Sequence, residues 1–364
     1  MSRKVAVILL NLGGPDCKKA IRPFLMNFFM DKNIIGAPAP IRWLLANYIS
    51  LKRSKREAGQ SYGELGDKSP LLENTQAQAD ALLEELNADE NSANTYKTFV
   101  CMRYWHPMSP QVVKDVQAWG ADKIVILPLY PQFSTTTTWS SLGVWNEAMA
   151  RQGLTTETSM VCCYPDNEGY VEASTANIAE QYTQAQKDGH EKIRVLFSAH
   201  GLPESVIKKG DPYQWQCEKS AQTIATRLES VLEKKIDWQI CYQSRVGPMK
   251  WISPSTEEAI DKAATDETAI IIYPHAFTQE HVETLVELDI EYKEYAEEKG
   301  QHGYYRAQTV GRHPAFIKGL AQLVRYYEPR TDITAEGFTC ICPEQFGRCC
   351  MRESDAGALG TKAA

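Results

Sequence analysis

Glu280, Glu283, Glu287 and Glu291 fall at i, i+3, i+7 and i+11 with His281 beside the first, so a helix through them would carry four carboxylates on one face. Like charges one turn apart cost about 0.2–0.5 kcal/mol per pair, and Glu283, Glu287 and Glu291 have no Lys or Arg a turn away. A divalent cation or protons in transit would relieve that repulsion; the plain alternative is a solvated acidic surface helix. His200 is the second chemical element. It follows the apolar run Ile193 to Ala199 and opens a Gly-Leu-Pro loop, and imidazole with one or two carboxylates binds Fe(II) or accepts protons near neutral pH. Sulfur is the third. Of the 10 cysteines, Cys162 and Cys163 are adjacent and Cys340, Cys342, Cys349 and Cys350 share the tail, in a spacing that is not a zinc ribbon's. Cys17, Cys101, Cys217 and Cys241 stand singly and are expected as small buried apolar residues.

The elements that must position these groups read as alternating strands and helices. Ala269 to Tyr273 is a buried-strand run that breaks at Pro274, after which helical spacing puts Val282, Leu285, Leu288 and Tyr292 on one apolar stripe. Lys4 to Asn11 and Ile193 to Ala199 are continuous apolar runs, the pattern of parallel strands covered on both faces, and each opens into a Gly/Pro loop. Thr98 to Tyr104 with the strand Lys123 to Leu129 then parallels Trp238 to Tyr242 with the strand Ala269 to Tyr273. The chain therefore reads as an internal duplication: an α/β protein of two similar doubly wound parallel-sheet halves, Rossmann-like or flavodoxin-like, with a cleft between them. Functional residues should gather in the loops after strands, at Leu12 to Asp16, Arg103 to Pro110, His200 to Glu204 and His275 to Glu283.

Residues 1–155 would form the first half and 156–328 the second, which carries the acidic helix and closes with an amphipathic helix, Pro314 to Tyr327. Residues 329–364 form a Cys-rich tail whose end, ESDAGALGTKAA, is expected to be disordered. An insertion at about 31–70 departs from the alternation. It places Trp43, Leu44, Leu45, Tyr48, Ile49 and Leu51 on a short helix before Lys52-Arg53-Ser54-Lys55-Arg56. This suits an apolar lip over a large flat ligand or peripheral contact with an anionic membrane; the alternative is a helix packed on its own core.

With 364 residues, 43% apolar and 23% charged, the chain has the composition of a soluble globular protein of about two domains. The net charge of -7 excludes nucleic acid as a principal partner. The opening MSRKVAVILLNLGG has no cleavage site and reads as the first strand, and no stretch reaches the roughly 18 apolar residues that span a bilayer. A cytoplasmic protein is expected, with peripheral contact at the inner membrane as a variant. Neither Gly13-Gly14 nor Gly201 fits a nucleotide fingerprint, so no nucleotide is expected.

A set of motifs then converges. Asn11-Leu12-Gly13-Gly14-Pro15, Ser69-Pro70, Arg103-Tyr104 with His106-Pro107, Tyr130-Pro131-Gln132 and Ser198 to Pro203 resemble the ferrochelatase family. So do Gln243-Ser244 with Val246-Gly247-Pro248 and Trp251, and Ala276-Phe277 with His281 and Glu283-Thr284-Leu285. The resemblance covers nearly the whole chain. It implies the chelatase fold, with porphyrin and ferrous iron as partners, Fe(II) as a substrate, and release of two pyrrole protons without redox change. It implies that His200 and Glu283 face the porphyrin centre as catalytic groups, either metal ligands or proton acceptors. Glu280, His281, Glu287 and Glu291 would form a proton path. Leu12 would lie under the macrocycle, Tyr62, Ser69, Arg103 and Tyr104 would hold propionates or line the pocket, and Trp251 would stand at its wall. An apolar residue at position 12 is similar to the protoporphyrin users, where coproporphyrin users carry tyrosine, so protoporphyrin IX is the expected substrate and protohaem the product.

Some positions depart from the pattern. His275 and Glu280 stand where small apolar and Asp residues are usual, and Arg53-Ser54 replaces a paired arginine. Several ferrochelatases hold a [2Fe–2S] cluster through one cysteine of the body and three of the tail; here Cys162 or Cys163 would join three of Cys340, Cys342, Cys349 and Cys350. No cysteine lies in Ser134 to Leu142, where some relatives keep theirs, and a structural zinc or uncommitted thiols are the alternatives. The rival functions are a coproporphyrin ferrochelatase, a cobalt or nickel chelatase, and a non-catalytic haem or porphyrin carrier. A homodimer is left open.

Overall fold

The computed structural model describes residues 2–55, 57–88, 93–245, 247 and 249–354; Arg56, Val246, Pro248 and the tail end at 355–364 lie outside the described residues. In chain order the strands are β1 (Lys4–Asn11), β2 (Thr95–Met102), β3 (Lys123–Pro128), β4 (Glu157–Val161), β5 (Ile193–His200), β6 (Asp237–Gln243), β7 (Ala269–Pro274), β8 (Tyr304–Arg306) and β9 (Ile333–Thr334). They form two sheets, ordered β2-β1-β3-β4-β9 and β6-β5-β7-β8, in which every pairing is parallel.

Each sheet repeats one plan. The first strand of the half lies between its second and third, with the fourth outside the third, so the duplication read from the apolar runs is a duplication of topology. Central position explains the sequence of β1 and β7. Val5 to Leu10 and Ile270 to Tyr273 are buried because helices cover both faces, which leaves no solvent side to alternate with. The order 2-1-3-4 also creates a switch point in each sheet, beyond the carboxyl ends of β1 and β3 and of β5 and β7, where connections leave in opposite directions and ligands settle.

The chain forms two compact units, Met1–Tyr164 with Leu320–Pro343 and Gly347–Ala364, and Pro165–Gly319 with Glu344–Phe346. The helix Pro314–Tyr327 buries Phe316, Ile317, Leu320, Leu323, Val324 and Tyr327, the stripe expected of it. In the first unit the returning segment is then fastened to β4. Ser159 Oγ donates to Tyr327 O at 2.6 Å, Tyr327 Oη donates to Ala335 O at 2.6 Å, and the buried Lys123 Nζ donates to Arg330 O while pairing with Glu157 at 3.0 Å. These bonds add β9 to the sheet and bring the tail cysteines beside the end of β4.

The inserted helix Ala39–Ser54 does not pack its apolar residues on a core of its own. Ala46 and Ser50 form the buried face, while Trp43 (53% exposed), Leu44 (62%) and Tyr48 (66%) stand in solvent. Cys101, Cys217 and Cys241 are buried as expected, but Cys17 is exposed because it precedes the surface turn Lys18–Ala20.

Candidate active site

In the second unit, β5 ends at His200 and β6 at Gln243, so both side chains emerge at the switch-point edge of the sheet. His200 Nδ1 lies 2.7 Å from Gly201 O. A carbonyl only accepts, so Nδ1 is the donor in this contact and Nε2 is the nitrogen left to face Glu283. That Nε2 lies 3.8 Å from Glu283 Oε1, too long for a direct hydrogen bond, with both side chains about one-third exposed. Gly201 cannot carry a side chain: a Cβ there would meet Gln243 O at 2.9 Å and the Trp251 ring at 3.3 Å. Trp251 is held in turn by bridging to Pro203, which sets the indole against the His200 loop.

The acidic segment is built differently from the single helix expected. It consists of a short helix, Val282–Leu285, a π-turn, Glu287–Glu291, and a further helix, Tyr292–Glu298. Glu291 N donates to Val286 O at 3.0 Å, five residues back, and this wider turn breaks the regular stripe. Leu288 and Tyr292 are buried as expected, but Val282 and Leu285 are only half-buried and Val286 is buried instead.

Glu280 and His281 precede the helix, so the four carboxylates do not share one helical face. Glu280 accepts from Arg306 Nη1 at 2.7 Å, Thr284 Oγ1 at 2.5 Å and Thr309 N at 2.9 Å. Burial pushes its pKa up, but the Arg306 guanidinium and these donors outweigh it and hold the carboxyl below the usual range. His281 is the N-cap, its Nδ1 accepting from Glu283 N at 3.0 Å, and burial lowers its pKa despite the nearby carboxylates.

Glu287 sits in a cage of donors. Gln243 Nε2 reaches it at 2.9 Å, Ser244 N at 2.8 Å, Ser244 Oγ at 2.5 Å and Tyr292 Oη at 3.2 Å. Ser244 takes φ +60, and this left-handed backbone is what turns both its N–H and its hydroxyl onto one carboxylate. Gln243 also donates to Glu283 O at 2.8 Å and accepts from Ser198 Oγ at 2.9 Å, so it ties the two glutamates to β5 and β6. Burial is the main cause that raises the Glu287 pKa, the Ser244 and Gln243 donors oppose it, and the neighbouring Glu283 charge adds to it. Glu291 lies at the surface one π-turn further on. His275, by contrast, is buried in the core, its Nε2 donating to Cys217 O at 3.0 Å, and burial lowers its pKa to about 4.

In the first unit, Leu12 follows β1 and its carbonyl accepts from Tyr104 N at 2.9 Å, so the loops after β1 and β2 run together. Ser69 is buried against Gly14, where a Cβ would meet it at 2.6 Å, and Tyr62 is buried as well. Arg103 and Tyr104 both turn to Asp31, at 3.0 Å from Nη2 and 2.7 Å from Oη. Burial and the Asp31 charge push the Tyr104 phenol well up, so it remains a donor. Asp31 and Arg306 were not singled out from sequence, and Gln243-Ser244 stood only among the motifs of the resemblance, with no role; the one local sign of Asp31 is an acid closing the apolar run Phe28-Phe29-Met30.

Also in this unit, the thiols of Cys162 and Cys342 donate to Cys349, holding its pKa far below that of an ordinary thiol. Cys340 Sγ lies 3.7 Å from Cys349 Sγ, and Cys162 contacts Cys163 and Cys350. Among the described residues no disulfide joins the cysteines. Among the described residues no group of three or more His, Cys, Asp or Glu is arranged to hold a metal ion.

Two parallel sheets of order 2-1-3-4, with a histidine and carboxylates at a switch point, define an α/β protein of the chelatase fold. A solved structure, SirB from Bacillus subtilis with Fe3+, shares this fold with a TM-score of 0.51 at 14% identity, over 89% of this chain and 96% of its own. A model of the Ferrochelatase family matches residues 4–327. The ferrochelatase of Wolbachia sp. subsp. Drosophila simulans (strain wRi) is 50% identical over 321 residues, 88% of this chain and 98% of its own length. That of Caulobacter vibrioides (strain NA1000 / CB15N) is 47% identical over 356 residues, 97% and 99% of the two chains. The chain belongs to the ferrochelatase family, and it is a metal chelatase.

Proposed function

We propose that the protein inserts Fe(II) into protoporphyrin IX to give protohaem, with His200 and Glu283 at the reacting centre. The observation that carries this is His200 Nε2 set 3.8 Å from a Glu283 carboxylate oxygen, a gap wide enough for one cation between them. Insertion replaces two pyrrole N–H bonds with metal–nitrogen bonds, so two protons must leave for each Fe(II) that enters. His200 and Glu283 meet the metal or the first proton, and Glu287, whose burial favours the protonated form, passes charge on toward the surface at Glu291. Glu280 and His281 hold the turn that carries them, through Arg306 and through the Glu283 amide.

Leu12, Tyr62, Ser69, Arg103, Tyr104 and Trp251 are proposed as the porphyrin-binding set, with Tyr104 acting from beneath Arg103 because it is itself buried. The solvent-exposed Trp43, Leu44 and Tyr48, followed by Lys52 and Arg53, support peripheral contact with an anionic membrane from the cytoplasmic side.

A [2Fe–2S] cluster is proposed on Cys162, Cys340, Cys342 and Cys349. Thiolates about 2.3 Å from a metal in a tetrahedron stand about 3.8 Å apart, and the Cys340–Cys349 separation of 3.7 Å fits that edge. A bound cluster would cross-link the tail to the end of β4. Loss of visible absorption from purified Cys349→Ser would support it, and absorption that survives would remove Cys349 from the ligand set.

The decisive experiment is anaerobic insertion of Fe(II) into protoporphyrin IX and, separately, coproporphyrin III, followed by loss of porphyrin fluorescence. Turnover abolished by His200→Ala and by Glu283→Gln is expected, with protoporphyrin IX the faster substrate. Tight porphyrin binding without turnover would make the protein a carrier instead.

A further inference from the structure

We infer that Asp31 is a positioning and specificity-determining residue, which cancels the charge of Arg103 at the porphyrin-binding surface and so favours porphyrins with few carboxylates. The inference rests on the porphyrin reading above. Asp31 Oδ2 accepts from Arg103 Nη2 at 3.0 Å, Tyr104 Oη at 2.7 Å and Ser140 Oγ, while Oδ1 accepts from Asn33 N at 2.8 Å and Asn33 Nδ2 at 3.1 Å. Arg103 Nε is spent as well, donating to Ser140 Oγ at 2.7 Å, and the guanidinium lies 4.5 Å from the centre of the Tyr104 ring.

A guanidinium recognises a carboxylate best through two parallel N–H groups. Here the Nε and Nη2 donors are already turned inward. The Asp31 side chain is 2% exposed and that of Arg103 14%, so water screens the pair little and the two charges nearly cancel for any ligand outside. A porphyrin carboxylate near Arg103 therefore meets a neutral pair. Substrates with two or four carboxylates are then distinguished by their other substituents, and the apolar ones are not disfavoured. Removing only the Asp31 charge would leave a cation that suits a tetra-anion better than a di-anion.

The test compares kcat/KM for Fe(II) insertion into protoporphyrin IX and coproporphyrin III in the wild type, Asp31→Asn, and the double variant Asp31→Leu/Arg103→Leu. In Asp31→Asn the coproporphyrin-to-protoporphyrin ratio should rise about tenfold. In the double variant, where anion and cation leave together, it should stay within about twofold of wild type. A merely structural Asp31 would depress both substrates alike, and an unchanged ratio in Asp31→Asn overturns the inference. Should that variant fail to fold, Arg103→Leu gives the opposite test: the unmatched carboxylate should lower the ratio about tenfold, and no change overturns the inference equally. A wild type that inserts iron into neither porphyrin would overturn the functional reading instead.

Discussion

Arg306 Nη1 lies 2.7 Å from Glu280 Oε1, and the same guanidinium takes both oxygens of Asp289, at 2.7 and 3.0 Å. One cation thus neutralises the first acid of the row and a further acid, Asp289, that lies within its span. Arg306 side-chain exposure is 12%, while Glu280 and Asp289 are 22% and 32% exposed, so its removal would leave two partly solvated carboxylates without their cation. Arg306→Met should lower stability by about 1–3 kcal/mol in urea unfolding at pH 7. Since Glu280 is held below the usual carboxylate range, the stability it contributes is complete above the unfolded value of about 4.3 and is lost as pH falls through the folded one. Glu280→Gln should therefore flatten the acid limb of the stability curve while sparing kcat. A loss of kcat as large as that of Glu283→Gln would return Glu280 to the proton path.

Glu287 has the opposite sign. Its folded pKa is raised by burial, so its contribution is complete below about pH 4.3 and declines as pH rises through the folded value. Glu287→Gln should gain stability relative to wild type between pH 4 and pH 8 and lose kcat by about 10²–10⁴-fold, with little change in porphyrin KM. Unchanged turnover would exclude it from proton transfer.

His275 gives an acid-sensitive core. Its pKa is lowered to about 4 by burial, so the wild type should lose stability as pH drops from the free-imidazole range near 6.5 toward that value, by up to about 1.4 kcal/mol for each unit crossed. His275→Leu should lower stability at neutral pH, because Cys217 O loses a donor, yet show a smaller loss of stability on acidification through this window than wild type. A loss on acidification equal to that of wild type would assign the slope to other groups.

Leu44 and Tyr48 are 62% and 66% exposed, so replacing both with Glu should change folding stability by less than about 0.5 kcal/mol. The same double variant should lose co-sedimentation with vesicles containing anionic phospholipid. Equal sedimentation of variant and wild type would remove the lip from any membrane contact.

Local pattern makes part of this protein legible before any fold is known. The runs Val5 to Leu10 and Ile270 to Tyr273 announce parallel strands because a strand covered on both faces has no polar side, and their repetition announces two matching halves. His200 is legible for the same reason, since a buried strand that ends in histidine and glycine must deliver the imidazole to the loop edge. Pairings between distant segments were not legible. Arg103 and Asp31 are 72 residues apart and Arg306 and Glu280 are 26 apart, and strand order and register alone decide that they meet. The acidic row also depended on tertiary context. Helical spacing treats Glu280 to Glu291 as one face, but the cap at His281 starts the helix late and the π-turn widens it, giving Glu280 to Arg306 and Glu287 to the Gln243–Ser244 cage. Periodicity describes what a segment buries, while the fold decides which charges it meets.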